Sequence, residues 1–398
     1  MAQEPCPHCG PIQTNHYQQW IADLFYVLTP FRYISIPSKV RYALASSIDR
    51  FFLRVGAVKT TKDLNHPGFP LRTKVFLREA LPLGMTFRAI TTPYGLNNQF
   101  ILDNGGRSYA FEGLPRAEFM QSTRAERIDD KLFVKRILEK NGLPVARGRA
   151  FSVLQKKRVE TYVEQDLGYP VIVKPVTGSM SQHITTNIQN RTQLQEAILK
   201  VAQYTPYFMV ERYINSPYVY RANVIDQDFV AVVRRIPAHV VGDGVHTIQE
   251  LIDHKNADPR RGPAGDQSFV LYHLTFDDVS EKLLQQKGYT VETVPQEGEP
   301  VYLQEKVILD IGADLEEVTP QVHPDNIELF RRVATIFGIY LVGIDLLAKD
   351  IAISWKEQEC AILELNSLPY IDMHHYPSIG EPVNIGAQVA KMVAKYYT

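Results

Sequence analysis

Between residues 129 and 366 the sequence switches repeatedly between helical spacing of apolar residues and short extended runs, which restricts the chain to layers of helix and sheet. A helix is expected to begin near Asp129, with Leu132, Val134, Ile137 and Leu138 on its apolar side, and to stop at Asn141-Gly142. Val171-Ile172-Val173 reads as a strand that is apolar on both faces. A small-residue loop from Thr177 to Ser181 leads to a strand around Ile184 and then to a helix opened by a capping box at Thr192 to Gln195. Phe208 to Val210, Val219 to Ile225 and Phe229 to Arg235 read as strands, the last two joined by the turn Asp226-Gln227-Asp228. A helix from Pro324 to Phe337 feeds a strand from Ile339 to Leu347, and a hairpin turning at Lys356 to Glu359 returns as Cys360 to Asn366. The expected class is mixed α/β, of the α+β kind.

The flanks read differently. Residues 1–65 are rich in aromatics and suggest short helices, with Trp20, Leu24, Phe25, Val27 and Leu28 on one apolar face. Residues 66–125 suggest a small α/β domain: a helical Val75 to Leu81, an extended Thr86 to Thr91, and the turn Asn104-Gly105-Gly106 before Ser108 to Phe111. Residues 255–306 are more polar and read as an excursion packed on the main body.

Composition closes several routes. Lys plus Arg total 43 against 44 Asp plus Glu, so no summed charge draws the chain to nucleic acid or an anionic membrane. Any anion must be held locally. The longest apolar stretch, Val333 to Ile344, is too short to span a bilayer, and Met1 to Trp20 lacks a signal-peptide core, which leads to an expectation of a cytoplasmic protein. Three cysteines build no disulfide framework. Cys6, His8, Cys9 and His16 could form half of a zinc site, but no second cysteine pair follows and the segment is read as a tail.

The last hairpin carries the clearest chemistry. Strand alternation turns Ile362, Glu364 and Asn366 one way, and Asp345 stands on the preceding strand, so pairing would converge three oxygen ligands suited to Mg²⁺. A solvated face of an ordinary hairpin has the same spacing. Lys131 and Lys174, at the edges of apolar elements, supply counter-charge for phosphates, and the 177–181 loop, with Ser179 and Ser181, could lay N–H groups and hydroxyls on phosphate oxygens. There is no Walker ending, no Gly-x-Ser-x-Gly elbow and no dinucleotide fingerprint, and the adjacent His374-His375 cannot form an i, i+4 zinc pair.

In order, these pieces resemble the ATP-grasp superfamily over about two thirds of the chain, from Arg127 onward. Asp130-Lys131 with Lys135 and Gly142-Leu143-Pro144-Val145 looks like the helix of the first nucleotide lysine. Tyr169 to Pro175 resembles the strand of the second, Lys174. Val210-Glu211-Arg212-Tyr213-Ile214 resembles the adenine hinge, and Gly343-Ile344-Asp345 and Leu363-Glu364-Leu365-Asn366 resemble the metal strands. The resemblance implies two α/β lobes clasping ATP, at about 126–215 and 216–398, with ATP and two Mg²⁺ ions (Mn²⁺ as a substitute) as cofactors.

Arg235 to Gly244, Asn256 to Gly262, Val301-Tyr302-Leu303, Val322-His323-Pro324 and Met373-His374 with Pro377 to Pro382 are similar to the ATP-grasp domains of cyanophycin synthetases and bifunctional glutathione synthetases. On that likeness Arg235 contacts phosphates and, with Lys174, is catalytic; Lys131, Ser179, Ser181, Glu211, Arg212 and Ile214 complete the nucleotide set. Arg221, Arg234 and His374 are candidates for a substrate carboxylate. Two departures stand out. Ile308-Leu309-Asp310-Ile311-Gly312-Ala313 replaces a hydroxyl- and glycine-rich loop, which predicts a different substrate, and the acidic ribose contact is replaced near Val219. The length after the ATP-grasp region leaves no expected room for a second, Mur-ligase-like domain.

The resemblance therefore implies a carboxylate–amine ligase working through an acylphosphate on amino acids or short peptides. Acyl transfer to a carrier protein or a thiol, and a non-catalytic nucleotide module, are the alternatives. The N-terminal segment is open to several roles: a cover for the site, a homodimer interface or a partner dock.

Overall fold

A computed structural model describes residues 16–28, eight positions between 40 and 58, and residues 59–397 apart from 67, 93–94, 177–182 and 217. The motif Cys6, His8 and Cys9 and the loop carrying Ser179 and Ser181 lie outside the described residues. A helix spans His16–Leu28, as expected, though Phe25, Val27 and Leu28 are among the side chains not described.

The strands form three principal sheets. β1 (Lys59–Thr61), β2 (Thr86–Thr92), β3 (Gly95–Asn104) and β4 (Arg107–Glu112) make an antiparallel meander. β5 (Gly148–Ser152), β6 (Val171–Pro175), β7 (Thr185–Ile188) and β8 (Tyr207–Arg212) pair in the order β5-β8-β6-β7. β9 (Val219–Ile225) and β10 (Phe229–Ile236) start the third sheet. The chain then leaves it for two short pairs, β11 (His239–Val241) with β14 (Pro300–Tyr302), and β12 (Arg261–Gly262) with β13 (Leu271–Tyr272). It returns as β15 (Asp314–Glu317), β16 (Leu341–Leu347) and β17 (Ala361–Asn366), giving the order β15-β10-β9-β16-β17.

Local chemistry explains most element ends. Asp130 caps the helix Lys131–Lys140 by accepting from the Phe133 N–H at 3.0 Å, and Gly142 follows at φ +68°. The helix Arg191–Ala202 is capped by Asn190 rather than opened at Thr192: the Asn190 carboxamide accepts from Gln193 N at 3.0 Å, two residues earlier than the sequence motif suggests. Asp226 and Gln227 both adopt positive φ, the geometry of a tight hairpin between β9 and β10. The helix Pro324–Phe337 has the expected bounds.

Residues 69–117 share one hydrophobic core with the last helix, Ile385–Tyr396, and with Ile225 and Ala231, which lie on the same face of β9 and β10 as Arg221 and Asn223. The other face of the five-stranded sheet packs on Leu329, Phe330, Val333 and Phe337. A smaller core in the 240–303 excursion joins Val240, Ile252, Leu284 and Val301. Among the described residues no helix is long and apolar enough to cross a membrane.

Candidate active site

A cavity of about 730 Å³ lies between the four- and five-stranded sheets, within the size range of small-molecule sites. Its floor follows from strand register. Asp345 on β16 stands directly opposite Glu364 on β17 and opposite Arg221 on β9, so all three share one face. Asn366 is opposite Gly343 on the same pair of strands. Gly343 leaves room there: a Cβ would meet Pro369 Cβ at 3.0 Å and both Arg221 Cδ and Asn223 Oδ1 at 3.2 Å, so those side chains would have to shift by a few tenths of an ångström.

The hairpin departs from simple alternation. A bulge shifts the register from Asp345↔Glu364 to Leu346↔Ile362, so Leu363 is the extra residue. Ile362 therefore enters the core, whereas Leu363, Glu364 and Asn366 all line the cavity. The expectation that Ile362 shares the face of Glu364 is corrected by this bulge.

Two buried carboxylates organise the charges. Asp345, 3% exposed, receives both arms of Arg221, one at 3.1 Å, and Arg235 at 2.7 Å. Burial alone would raise its pKa, but the two guanidinium groups hold the carboxyl below the ordinary range. In the other lobe Glu211 is bridged by Lys135 at 2.6 Å and Lys174 at 2.5 Å. Burial again opposes ionisation, and the two ammonium groups again keep the carboxyl below its usual value. Lys131 reaches Glu364 at 3.5 Å; burial lowers its pKa against the pull of that carboxylate. Five cations (Lys131, Lys135, Lys174, Arg221, Arg235) thus face three carboxylates (Glu211, Asp345, Glu364), a surplus of two positive charges in an enclosed space.

The structure brings together Lys131, Lys174, Glu211, Arg212, Ile214, Arg221, Arg235, Asp345, Glu364 and Asn366, all of which line the one cavity. It separates two others. His374 is fully buried between Asn223 (2.9 Å) and Glu317 (2.7 Å), so it cannot touch a ligand in the cavity. Arg234 points to the opposite side of β10 from Arg235, pairs with Glu316 at 2.6 Å and lies over Tyr218 at 4.4 Å. Both expected substrate contacts are corrected. Ile172 is half-buried and lines the cavity, so β6 is not apolar-packed on both faces.

Lys135 is the charged group that the sequence named only as part of a motif; its spacing of one helical turn from Lys131 was the available signal. Among the described residues no cluster of three or more His, Cys, Asp or Glu could hold a metal. The candidate set is two carboxylates and an amide. Arg235 Nε and Asn366 Nδ2 are buried without a hydrogen-bond partner among the described residues.

The chain is similar to known proteins over much of its length. A family model described as D-ala D-ala ligase C-terminus matches residues 137–241, which include Lys174, Glu211, Arg221 and Arg235 but not the β16–β17 hairpin. Cyanophycin synthetase of Trichormus variabilis is 37% identical over 267 residues, 66% of this chain and 29% of the relative. A bifunctional glutathione biosynthesis protein of Clostridium perfringens is 24% identical over 337 residues, 83% of this chain and 42% of the relative. The chain therefore spans less than half the length of either. The crystal structure of a bifunctional glutathione synthetase from Pasteurella multocida superposes with a TM-score of 0.64 at 24% identity, covering 82% of this chain and 44% of that one, a likeness of fold. The matched segment and the fold together show that this chain contains an ATP-grasp domain of the D-ala D-ala ligase C-terminus type.

Proposed function

We propose that the chain is an ADP-forming ligase that joins a carboxylate to an amine through an acylphosphate, acting on amino acids or short peptides. One observation carries the reading: a cation-rich cavity converges on a floor where Asp345 and Glu364 are directly paired across the bulged hairpin. The surplus of positive charge calls for a polyanion, and the oxygen-only donor set of Asp345, Glu364 and Asn366 suits a hard divalent cation that bridges to phosphates.

In the reaction, a carboxylate oxygen of the donor attacks the γ-phosphorus, the bond to the bridging oxygen breaks and ADP leaves. The amine nitrogen then attacks the acyl carbon, inorganic phosphate departs with the electron pair of the C–O bond, and the amine's surplus proton passes to solvent. Asp345, Glu364 and Asn366 would hold Mg²⁺, as two ions that Mn²⁺ could replace, and the metal would supply neutralisation of phosphate charge.

The chain's own groups do the rest. Lys131, Lys135 and Lys174 stand where phosphate oxygens would replace carboxylates as their partners, and the unused Arg235 Nε is a buried donor for the transferring group. Glu211, Arg212 and Ile214 form the hinge wall for the base, and Ser179 and Ser181 belong to the loop assigned to cover the phosphates. Arg221, bidentate on Asp345, fixes that carboxylate instead of meeting substrate.

The test is ADP release and product mass from ATP, Mg²⁺ and pooled amino acids. The expected outcome is amine-dependent ADP release that falls about a hundredfold to a thousandfold in Glu364→Gln. Release unaffected by that substitution overturns the assignment, and release requiring a carrier protein in place of a free amine moves the acceptor to that class.

A further inference from the structure

The cavity has a second end with the opposite electrostatic character. The turn Leu309–Ile311 leads into β15, the sheet edge farthest from β17. Asp310 lines the cavity, as do Phe269, Tyr272, Tyr370 and Met373.

No described residue pairs with Asp310. Burial alone shifts its carboxyl upward, and no neighbouring cation acts on it. Asp266 and Asp372 add to its field at the Tyr272 hydroxyl. The nearby cations are engaged elsewhere: Arg72 lies 4.9 Å over the Tyr370 ring and reaches the Leu368 carbonyl at 3.5 Å, Lys306 donates to the Ile184 carbonyl at 2.8 Å, and buried Arg261 is held by Asp314.

A half-buried carboxylate without a counter-charge, walled by aromatic rings, attracts a cation through Coulomb and ring-quadrupole terms together. We infer that this end of the cavity is the acceptor subsite and that it selects an amine bearing a second cationic group, a basic amino acid or a diamine, with Asp310 as the specificity-determining residue. The attacking amine reacts as its free base, while the second group stays protonated against Asp310. What the amine does rests on the ligase reading above; that a cation is held here does not.

The experiment compares L-lysine with L-norleucine, which differ at the end of the side chain by the ammonium group, on the full chain. Two readouts are taken: kcat/KM for amine-dependent ADP release with pooled amino-acid carboxylates, and calorimetric binding to protein loaded with a non-hydrolysable ATP analogue. Lysine is expected to be preferred, and Asp310→Asn is expected to reduce the lysine-to-norleucine ratio by about tenfold to a hundredfold, mainly through KM. Asp310→Lys should reverse the preference, and thermal melts confirm that both variants are folded. Equal use and binding of the two amines, no binding of either, or a preference unchanged in Asp310→Asn overturns the inference. Lysine binding sensitive to Asp310→Asn in a protein that releases no ADP supports the subsite and sinks the ligase reading instead.

Discussion

The two lobes use the same charge motif in different materials. In the lobe of β5 to β8 one buried carboxylate, Glu211, holds two lysines; in the other, Asp345 holds two arginines. A lysine ammonium is a point charge on a flexible stem, whereas a guanidinium is a planar fork that keeps a fixed, bidentate geometry. Lys135 and Lys174 can thus turn away from Glu211 with little rearrangement of the sheet. Arg221 cannot leave Asp345 without breaking two hydrogen bonds in a site 5% exposed on its own side and 3% on its partner's. The contrast separates two kinds of hold: lysines on flexible stems, and an arginine that keeps a carboxylate still.

The sharpest break of this comparison is Asp345→Ala. Removing the carboxylate leaves Arg221 and Arg235 buried with uncompensated charge, and urea unfolding should show a loss of about 3–5 kcal/mol. A loss under about 1 kcal/mol would mean the arginines are not locked in place.

Glu211→Gln should be milder, at about 1–3 kcal/mol, because the freed ammonium groups extend into the cavity and its solvent. A cost equal to that of Asp345→Ala removes the distinction between the lobes. Acid sharpens both. Each carboxyl has a folded pKa below its unfolded value of about 4, so its stabilisation is full above that value and is lost as pH falls toward the folded one. Equilibrium unfolding followed below pH 4 should therefore show a steep decline, and Asp345→Ala should flatten it.

Asp372 is the control, a buried carboxylate with no salt bridge among the described residues and one unpaired oxygen. Burial pushes its carboxyl up to about 6, with Arg72 and backbone N–H groups opposing. The folded state then binds the proton more tightly than the unfolded one, so stability falls as pH rises from about 4 to about 6. Asp372→Asn should stabilise the protein by on the order of 2 kcal/mol at pH 8 and by almost nothing at pH 4, by thermal or urea unfolding at both.

The smallest structural effect is expected at Glu364→Gln. Its side chain is 31% exposed and, among the described residues, its one ion partner is Lys131 at 3.5 Å, so stability should stay within about 0.5 kcal/mol while ADP formation collapses. A large stability change would make Glu364 a structural residue like Asp345.

Much of the site was legible because strand and helix periodicities are local. The hairpin to Asn366, the capped helix carrying Lys131 and the strand ending in Lys174 follow from spacing within a dozen residues. Their order along the chain pointed to nucleotide chemistry. What sequence spacing missed came from pairing between distant segments: Arg221 meets Asp345 across 124 positions and Glu211 meets Lys135 across 76. Arg234 and Arg235 are adjacent in sequence and looked equally able to bind an anion, yet the pleat sends them to opposite sides of β10.

By itself, then, the sequence determined the α/β class, the element order and the identity of the charged groups, because these depend on neighbours along the chain. Tertiary structure alone decided that a bulge turns Leu363 into the cavity and Ile362 out of it, that His374 is sealed between Asn223 and Glu317, and that Asp310 is left without a counter-charge. The reason is physical: burial and electrostatic partnership are set by which strands pair, and the register of β9 against β16 is fixed only when segments more than a hundred residues apart come together.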